Sequence, residues 1–142
     1  MIILTMIIVA VDPGKARTGL AVCDKTMFLA SPLCVIEEWN RERLAEKVAA
    51  AAAKENAELI IIGLPKNMDG SEGESALAAR DFALLMANYT DIPIKMLDER
   101  CTTMIAHRYL NDNNVRGKKR KKTVDAVAAT VILQSYLDSF KK

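Results

Sequence analysis

The sequence predicts an α/β fold: a mixed five-stranded sheet, three antiparallel strands then two parallel ones, with helices on both faces. Three strand-like apolar runs lie close together in the first 36 residues, joined by links too short for a crossover, which makes them antiparallel neighbours. After them helix-patterned and strand-patterned segments alternate, as right-handed crossovers that add parallel strands require.

The three runs are Met6 to Asp12 (MIIVAVD), Thr18 to Asp24 (TGLAVCD) and Met27 to Ile36 (MFLASPLCVI). Asn40 stands as N-cap of a helix over NRERLAEKVAAAAAKENAE, where Leu44, Val48, Ala51 and Ala52 form an apolar stripe and alanine supplies the strongest helix propensity. Leu59 to Pro65 (LIIIGLP) is a continuous apolar run, the pattern of a central strand covered on both faces, and Gly63 and Pro65 stop it. The NMDGSEGES stretch reads as a turn. Ser71 and Glu74 sit in it at capping-box spacing, ahead of a helix over Ser75 to Tyr89 in which Leu84, Leu85 and Met86 read as core. A strand in IPIKMLDER ends at Asp98 and Glu99. Helices over Thr102 to Leu110 and Thr123 to Phe140 complete the order, with a basic loop between them.

At 142 residues, 51% hydrophobic and 27% charged, the chain is expected to be one folded domain spanning residues 1–142 rather than a disordered one. The apolar run Ile2 to Val11 is far short of the about 20 residues that span a bilayer and lacks a basic leader, so no membrane association is expected. Cys23, Cys34 and Cys101 are widely separated and form no Cys-x-x-Cys pair. Neither a disulfide framework nor a thiolate zinc site is suggested, and a cytoplasmic location fits.

In such a sheet, ligands gather outside the carboxyl ends of the parallel strands. Asp12 closes the first strand, Asp98 and Glu99 close the last, and Asp125 begins the final helix. Each has a simpler local explanation, as turn residue, cap or partner of the helix dipole. Their convergence under one topology favours a shared site. Ala128, Ala129 and Ile132 follow Asp125 by three, four and seven positions, on the stripe expected to face the sheet. Clustered carboxylates repel unless a cation sits among them, and hard oxygen ligands suit Mg²⁺ or Mn²⁺. Two such ions about 4 Å apart can activate water and hold a phosphodiester in line.

Four stretches, VDPGKARTGLAV, GLPKNMDGSEGESA, DERCTT and KKTVDAVAATVILQSYL, resemble in order the signature blocks of the YqgF-type family, the pre-16S ribosomal RNA nucleases also called Holliday-junction-resolvase-like proteins. The resemblance spans nearly the whole chain. It implies a ribonuclease H-like three-layer fold and a metal-dependent nuclease, with Asp12, Glu99 and Asp125 as catalytic metal ligands, Asp98 as an adjacent candidate, and two ions with substrate bound. It also implies 5′-end processing of the pre-16S ribosomal RNA in ribosome biogenesis. The alternatives are a Holliday junction resolvase acting on branched DNA, or a non-catalytic RNA-binding assembly factor. The chain departs from the family pattern at Ala16, where a lysine is usual. Arg17 keeps the second cation of that pair, and Lys15 stands one residue early.

Nucleic acid is the expected partner, of a monomer or homodimer. Arg17 and Arg100 are candidate phosphate contacts, as are Lys66 and Asn67, which together with Ser71 offer donors beside a helix start. Arg116, Lys118, Lys119, Arg120, Lys121 and Lys122 place six cations in seven positions of a chain whose net charge is only +2, a backbone-tracking patch rather than a mere solvated run. No aromatic interleaves these cations, so base stacking is not expected there. His107, the only histidine, falls mid-helix as a surface or packing residue. Gly14 and Gly19 suit a tight turn or a close backbone approach. An actin-like or sugar-kinase-like nucleotide binder also opens on an Asp-x-Gly turn, but it needs two such domains, and there is no Gly-x-x-x-x-Gly-Lys loop.

Overall fold

A computed structural model describes residues 5–98 and 117–139. Strands β1 (Ile8–Asp12), β2 (Arg17–Cys23) and β3 (Ala30–Glu37) are followed by α1 (Arg41–Lys54), β4 (Leu59–Leu64), α2 (Glu74–Met86), β5 (Ile94–Asp98) and α3 (Gly117–Asp138). The strands form one sheet in the order β3-β2-β1-β4-β5. Pairing is antiparallel from β1 to β3 and parallel across β1, β4 and β5, as the sequence predicts. The carboxyl ends of β1, β4 and β5 therefore open on one edge.

Strand alternation sorts the core into two halves. Val9, Val11, Ile60 and Ile62 pack with α1 and α2 through Leu44, Val48, Phe82 and Met86. Ile8, Ala10, Ala21 and Ile61 pack with α3 through Ala129, Ile132, Leu133 and Leu137. Burial on both sides explains why β1 and β4 read as unbroken apolar runs rather than alternating ones. Burying each large aliphatic chain contributes about 1.5–3 kcal/mol, so this core is the main stabilising term.

The direction of α3 follows from one side chain. Gln134 accepts a hydrogen bond from the Ala30 amide through Oε1 at 2.9 Å and donates from Nε2 to the Phe28 carbonyl at 3.3 Å. Ala30 pairs with Cys23, on the edge opposite the carboxyl ends. The amino-terminal half of α3 consequently runs toward the carboxyl edge.

Asn40 caps α1 as expected, its side chain accepting from the Arg43 amide at 2.9 Å. Three expectations need correction. The N-cap of α2 is Gly73, without a side-chain hydrogen bond, not Ser71. The chain is extended between Ser71 and the helix, and the Ser71 hydroxyl instead donates to Asp69 at 2.6 Å and accepts from Asn67 Nδ2 at 2.9 Å. Of Leu84, Leu85 and Met86 only Met86 is fully buried, and Leu84 is exposed, because a helix with 3.6 residues per turn cannot aim three consecutive side chains at one core. Finally, the basic segment from Lys118 to Lys122 is not a loop: α3 already starts at Gly117. Unbranched Lys and Arg are good helix formers, and no proline interrupts the run to Asp138. The helix expected over Thr102 to Leu110, with His107, lies outside the described residues.

Candidate metal and nucleic-acid site

Asp12 is the last residue of β1. It shares the strand parity of Ile8 and Ala10, which places it on the face covered by α3. Its cross-strand partner is Gly19, so no side chain stands opposite the carboxylate in the ladder. Alternation along β2 puts Arg17 on the same face, paired across to Glu37 on β3.

The turn joining β1 to β2 is held by local and long-range hydrogen bonds. The Gly14 amide donates to Oγ1 of the fully buried Thr18 at 3.2 Å. A Cβ on residue 14 would stand 2.1 Å from the Arg17 carbonyl oxygen, so the close backbone approach itself requires glycine. Arg41, the first residue of α1, donates from Nη1 to the Gly14 carbonyl at 2.9 Å and from Nη2 to the carbonyls of Lys15 at 2.7 Å and Glu38 at 3.2 Å. The Glu38 amide donates to the Ala16 carbonyl at 2.9 Å. Three successive turn carbonyls thus point at the start of α1. A cavity of about 250 Å³ lies on this side, bordered by Pro13, Gly14, Arg41, Ser75 and Phe82. Arg41 borders this space and, with Thr18 and the Glu38 amide, sets the position of the turn.

Asp125 lies within α3 one turn before the buried Ala129. Nine residues separate it from Gln134, about 13 Å at about 1.5 Å per residue. From the level of Gln134 to Asp12 is four strand residues, again about 13 Å. Positions 12 and 125 accordingly reach the same height at the carboxyl edge.

Asp98 belongs to the other face. Met96 packs with the α1 and α2 side and pairs with Ile62, whereas Leu97 packs on the α3 side and Lys95 lies over the Tyr136 ring at 5.2 Å. Asp98 follows the parity of Met96 and pairs with Leu64, which packs on Ala76 and Ala79 of α2. It is also two strands, about 10 Å, from Asp12. Among the described residues no three potential metal-binding side chains gather. Glu99, Arg100 and Arg116 lie outside the described residues.

The loop after β4 is held by bonds within itself and to α2. Asn67 donates from its amide to the Ser71 carbonyl and from Nδ2 to the Ser71 hydroxyl, at 2.8 and 2.9 Å. Arg80 grips Glu72 through two bonds of 2.6 and 2.7 Å, and together with the more distant Lys66 it holds that carboxyl below the usual carboxylate range. Lys66 is half-buried beside this pair, so the loop presents a cation at the carboxyl edge. Arg41 had no local signal in the sequence: its turn partners are 26 and 27 residues away.

A family model described as RuvX, Holliday junction resolvase, matches residues 6–139. A relative from Anaeromyxobacter sp. (strain Fw109-5), named "Putative pre-16S rRNA nuclease", is 41% identical over 127 residues, covering 89% of this chain and 93% of the relative. One of the same name from Clostridium botulinum (strain Eklund 17B / Type B) is 39% identical over 137 residues, covering 96% and 100%. Among solved structures, T. thermophilus RuvC in complex with Holliday junction substrate aligns with a TM-score of 0.56 at 14% identity, covering 94% of each chain. The Fowlpox virus resolvase in its Holliday junction DNA complex aligns at 0.59 and 14%, covering 96% and 100%. These likenesses establish the resolvase-type, ribonuclease H-like fold. Among the described residues no helix is long and apolar enough to cross a membrane.

Proposed function

The chain belongs to the RuvX family of Holliday-junction-resolvase-like proteins, and from that premise we propose that it is a metal-dependent nuclease that hydrolyses nucleic-acid phosphodiesters, with the 16S ribosomal RNA precursor as substrate. The observation that carries this reading is the placement of Asp12 at the carboxyl end of β1, on the α3 face and level with position 125. The substrate follows the names of the 41% and 39% identical relatives. The family description names a Holliday junction resolvase, and the same experiment tests that alternative.

Asp12, Asp125 and Glu99 would hold Mg²⁺ or Mn²⁺, an all-carboxylate donor set suited to these ions. Asp98 is left out, since alternation turns it to the α2 side. Bound there, two of them with substrate, such ions would activate water and neutralise charge on the phosphate. Arg17, on the same face as Asp12, contacts the phosphate beside the scissile bond, Lys66 approaches from the end of β4, and Arg100 is a further candidate phosphate contact. Asn67 supports the Lys66 loop from within. Lys118, Lys119, Arg120, Lys121 and Lys122, at the start of α3, bind the substrate backbone together with Arg116.

The deciding measurement is cleavage of precursor RNA against a four-way DNA junction, with Mg²⁺ and with Mn²⁺, using Asp12→Asn as control. Cleavage of the RNA, lost in Asp12→Asn while binding persists, is the expected result. Preference for the junction transfers the reading to branched DNA. Binding without cleavage under any divalent ion makes the protein a non-catalytic RNA-binding factor.

A further inference from the structure

Trp39, the only tryptophan of the chain, leaves 74% of its surface exposed immediately after β3, at the carboxyl edge that carries Asp12. Tryptophan offers about 150–250 Å² of aromatic area, and water is a poor place for it. Of the other aromatics with described side chains, Phe82 is buried, Phe28 and Tyr136 sit toward the opposite edge, and Tyr89 is half-buried within electrostatic reach of Glu42 and Glu46 of α1. A lone exposed apolar residue is ordinary by itself. Trp39 differs in having its backbone fixed on both sides. Before it, the Glu38 amide is bound to Ala16, and the Glu38 carboxylate is bound to Lys47 at 2.8 Å and to the Asn40 amide at 3.1 Å. After it, Arg41 donates to the carbonyls of both Glu38 and Trp39, at 3.2 and 3.4 Å. The indole is an exposed ring on an anchored stem.

Its surroundings carry both charges: Glu37 and Glu42 are exposed near it, and two cations are placed to meet a phosphate backbone. Lys15, in the turn tied to this segment, and Arg43, whose amide the Asn40 cap fixes, both face solvent. Two strand spacings separate β3 from β1, about 10 Å. That is the length of about three stacked nucleotides at about 3.4 Å each.

We infer that Trp39 is a stacking platform for an unpaired base of the substrate strand, about three nucleotides from the phosphate that Asp12 addresses. The inference deepens the nuclease reading and rests on its nucleic-acid substrate. A paired base keeps both faces inside the duplex, so the platform selects strands with single-stranded character, a distinction the backbone-binding cations cannot make.

The test uses the full chain in chelator, where no cleavage can occur. A labelled single-stranded RNA and a duplex of equal length are titrated by anisotropy while the intrinsic fluorescence of the single indole is recorded. Single strand should quench the indole and duplex should not. Trp39→Ala should weaken single-strand binding about tenfold and Trp39→Phe by less, with duplex affinity and the salt slope of binding unchanged. Unquenched emission on saturation with single strand, or equal losses for both ligands in Trp39→Ala, overturns the platform and leaves the nuclease reading standing. If wild type binds neither ligand, both are overturned. A melting temperature within a degree or two of wild type checks that the variants are folded.

Discussion

Arg41 Nη1 donates to the Gly14 carbonyl at 2.9 Å, joining the first residue of α1 to the turn that directly follows Asp12. The same guanidinium takes the Lys15 carbonyl, so the turn is set by a helix that begins 27 residues after its glycine. Hydrogen bonds from a charged donor contribute about 1.5–3 kcal/mol. Arg41→Met should lower stability by about that amount in urea titrations. Amide exchange should speed up selectively over residues 13–17, with β4 unchanged. Uniform acceleration would mean that Arg41 supports the whole fold rather than the turn.

Gly14→Ala should be worse for its size than any other single-methyl change nearby. The added Cβ meets backbone oxygen at 2.1 Å, and backbone cannot rotate aside as a side chain can. Relief requires displacement of Asp12 or Arg17. A loss of about 1–3 kcal/mol is expected, with a drop in cleavage larger than the unfolded fraction explains, measured well below the melting temperature.

The acids should separate by face. Asp12→Asn and Asp125→Asn should each cost cleavage by about 100-fold or more while leaving binding in place. Asp98→Asn should stay close to wild type, since its strand position looks toward α2. Equal losses at Asp12 and Asp98 would refute the face assignment.

The cationic start of α3 should govern affinity rather than turnover. Replacing Lys118, Lys119, Lys121 and Lys122 by Gln should weaken binding and flatten its salt dependence, by about 0.7–0.9 in the log–log slope for each phosphate no longer neutralised. The cleavage rate at saturating substrate should change little. An unchanged salt slope would remove the segment from the interface.

The acid arm of the stability profile should carry Glu38. Its hydrogen bond to Lys47, with the Asn40 amide, holds the carboxyl below the ordinary range. A group whose pKa is lower folded than unfolded stabilises above its unfolded pKa, about 4.3, and loses that contribution as pH falls through the folded value. Glu38→Gln should therefore be destabilising at pH 7, with the difference from wild type shrinking as pH falls below about 4.3. Urea midpoints across that range decide it.

Much of this architecture was legible locally. The strand and helix order, the Asn40 cap and the terminal place of Asp12 on β1 all follow from periodicity, capping chemistry and turn residues, which act over a few positions. The same local rules misassigned Ser71 as a cap and Lys118 to Lys122 as a loop. A capping spacing cannot reveal that the chain runs on extended, and a charge run suggests solvent without specifying backbone.

What the sequence determined by itself was the set of described elements, their mixed pairing and the edge at which Asp12 and Asp98 end their strands. Which face each residue occupies was decided only in the folded molecule. Asp12 and Asp98 both end strands beside the same central strand, yet α3 covers one parity and α1 with α2 the other, and that assignment comes from helix packing far along the chain. The same holds for Arg41, whose turn partners become neighbours only when the β3–α1 connection brings the helix start beneath the Asp12 turn. The physical reason is common to both: strand parity and side-chain reach are local, but the surface they meet is created by contacts between segments distant in sequence.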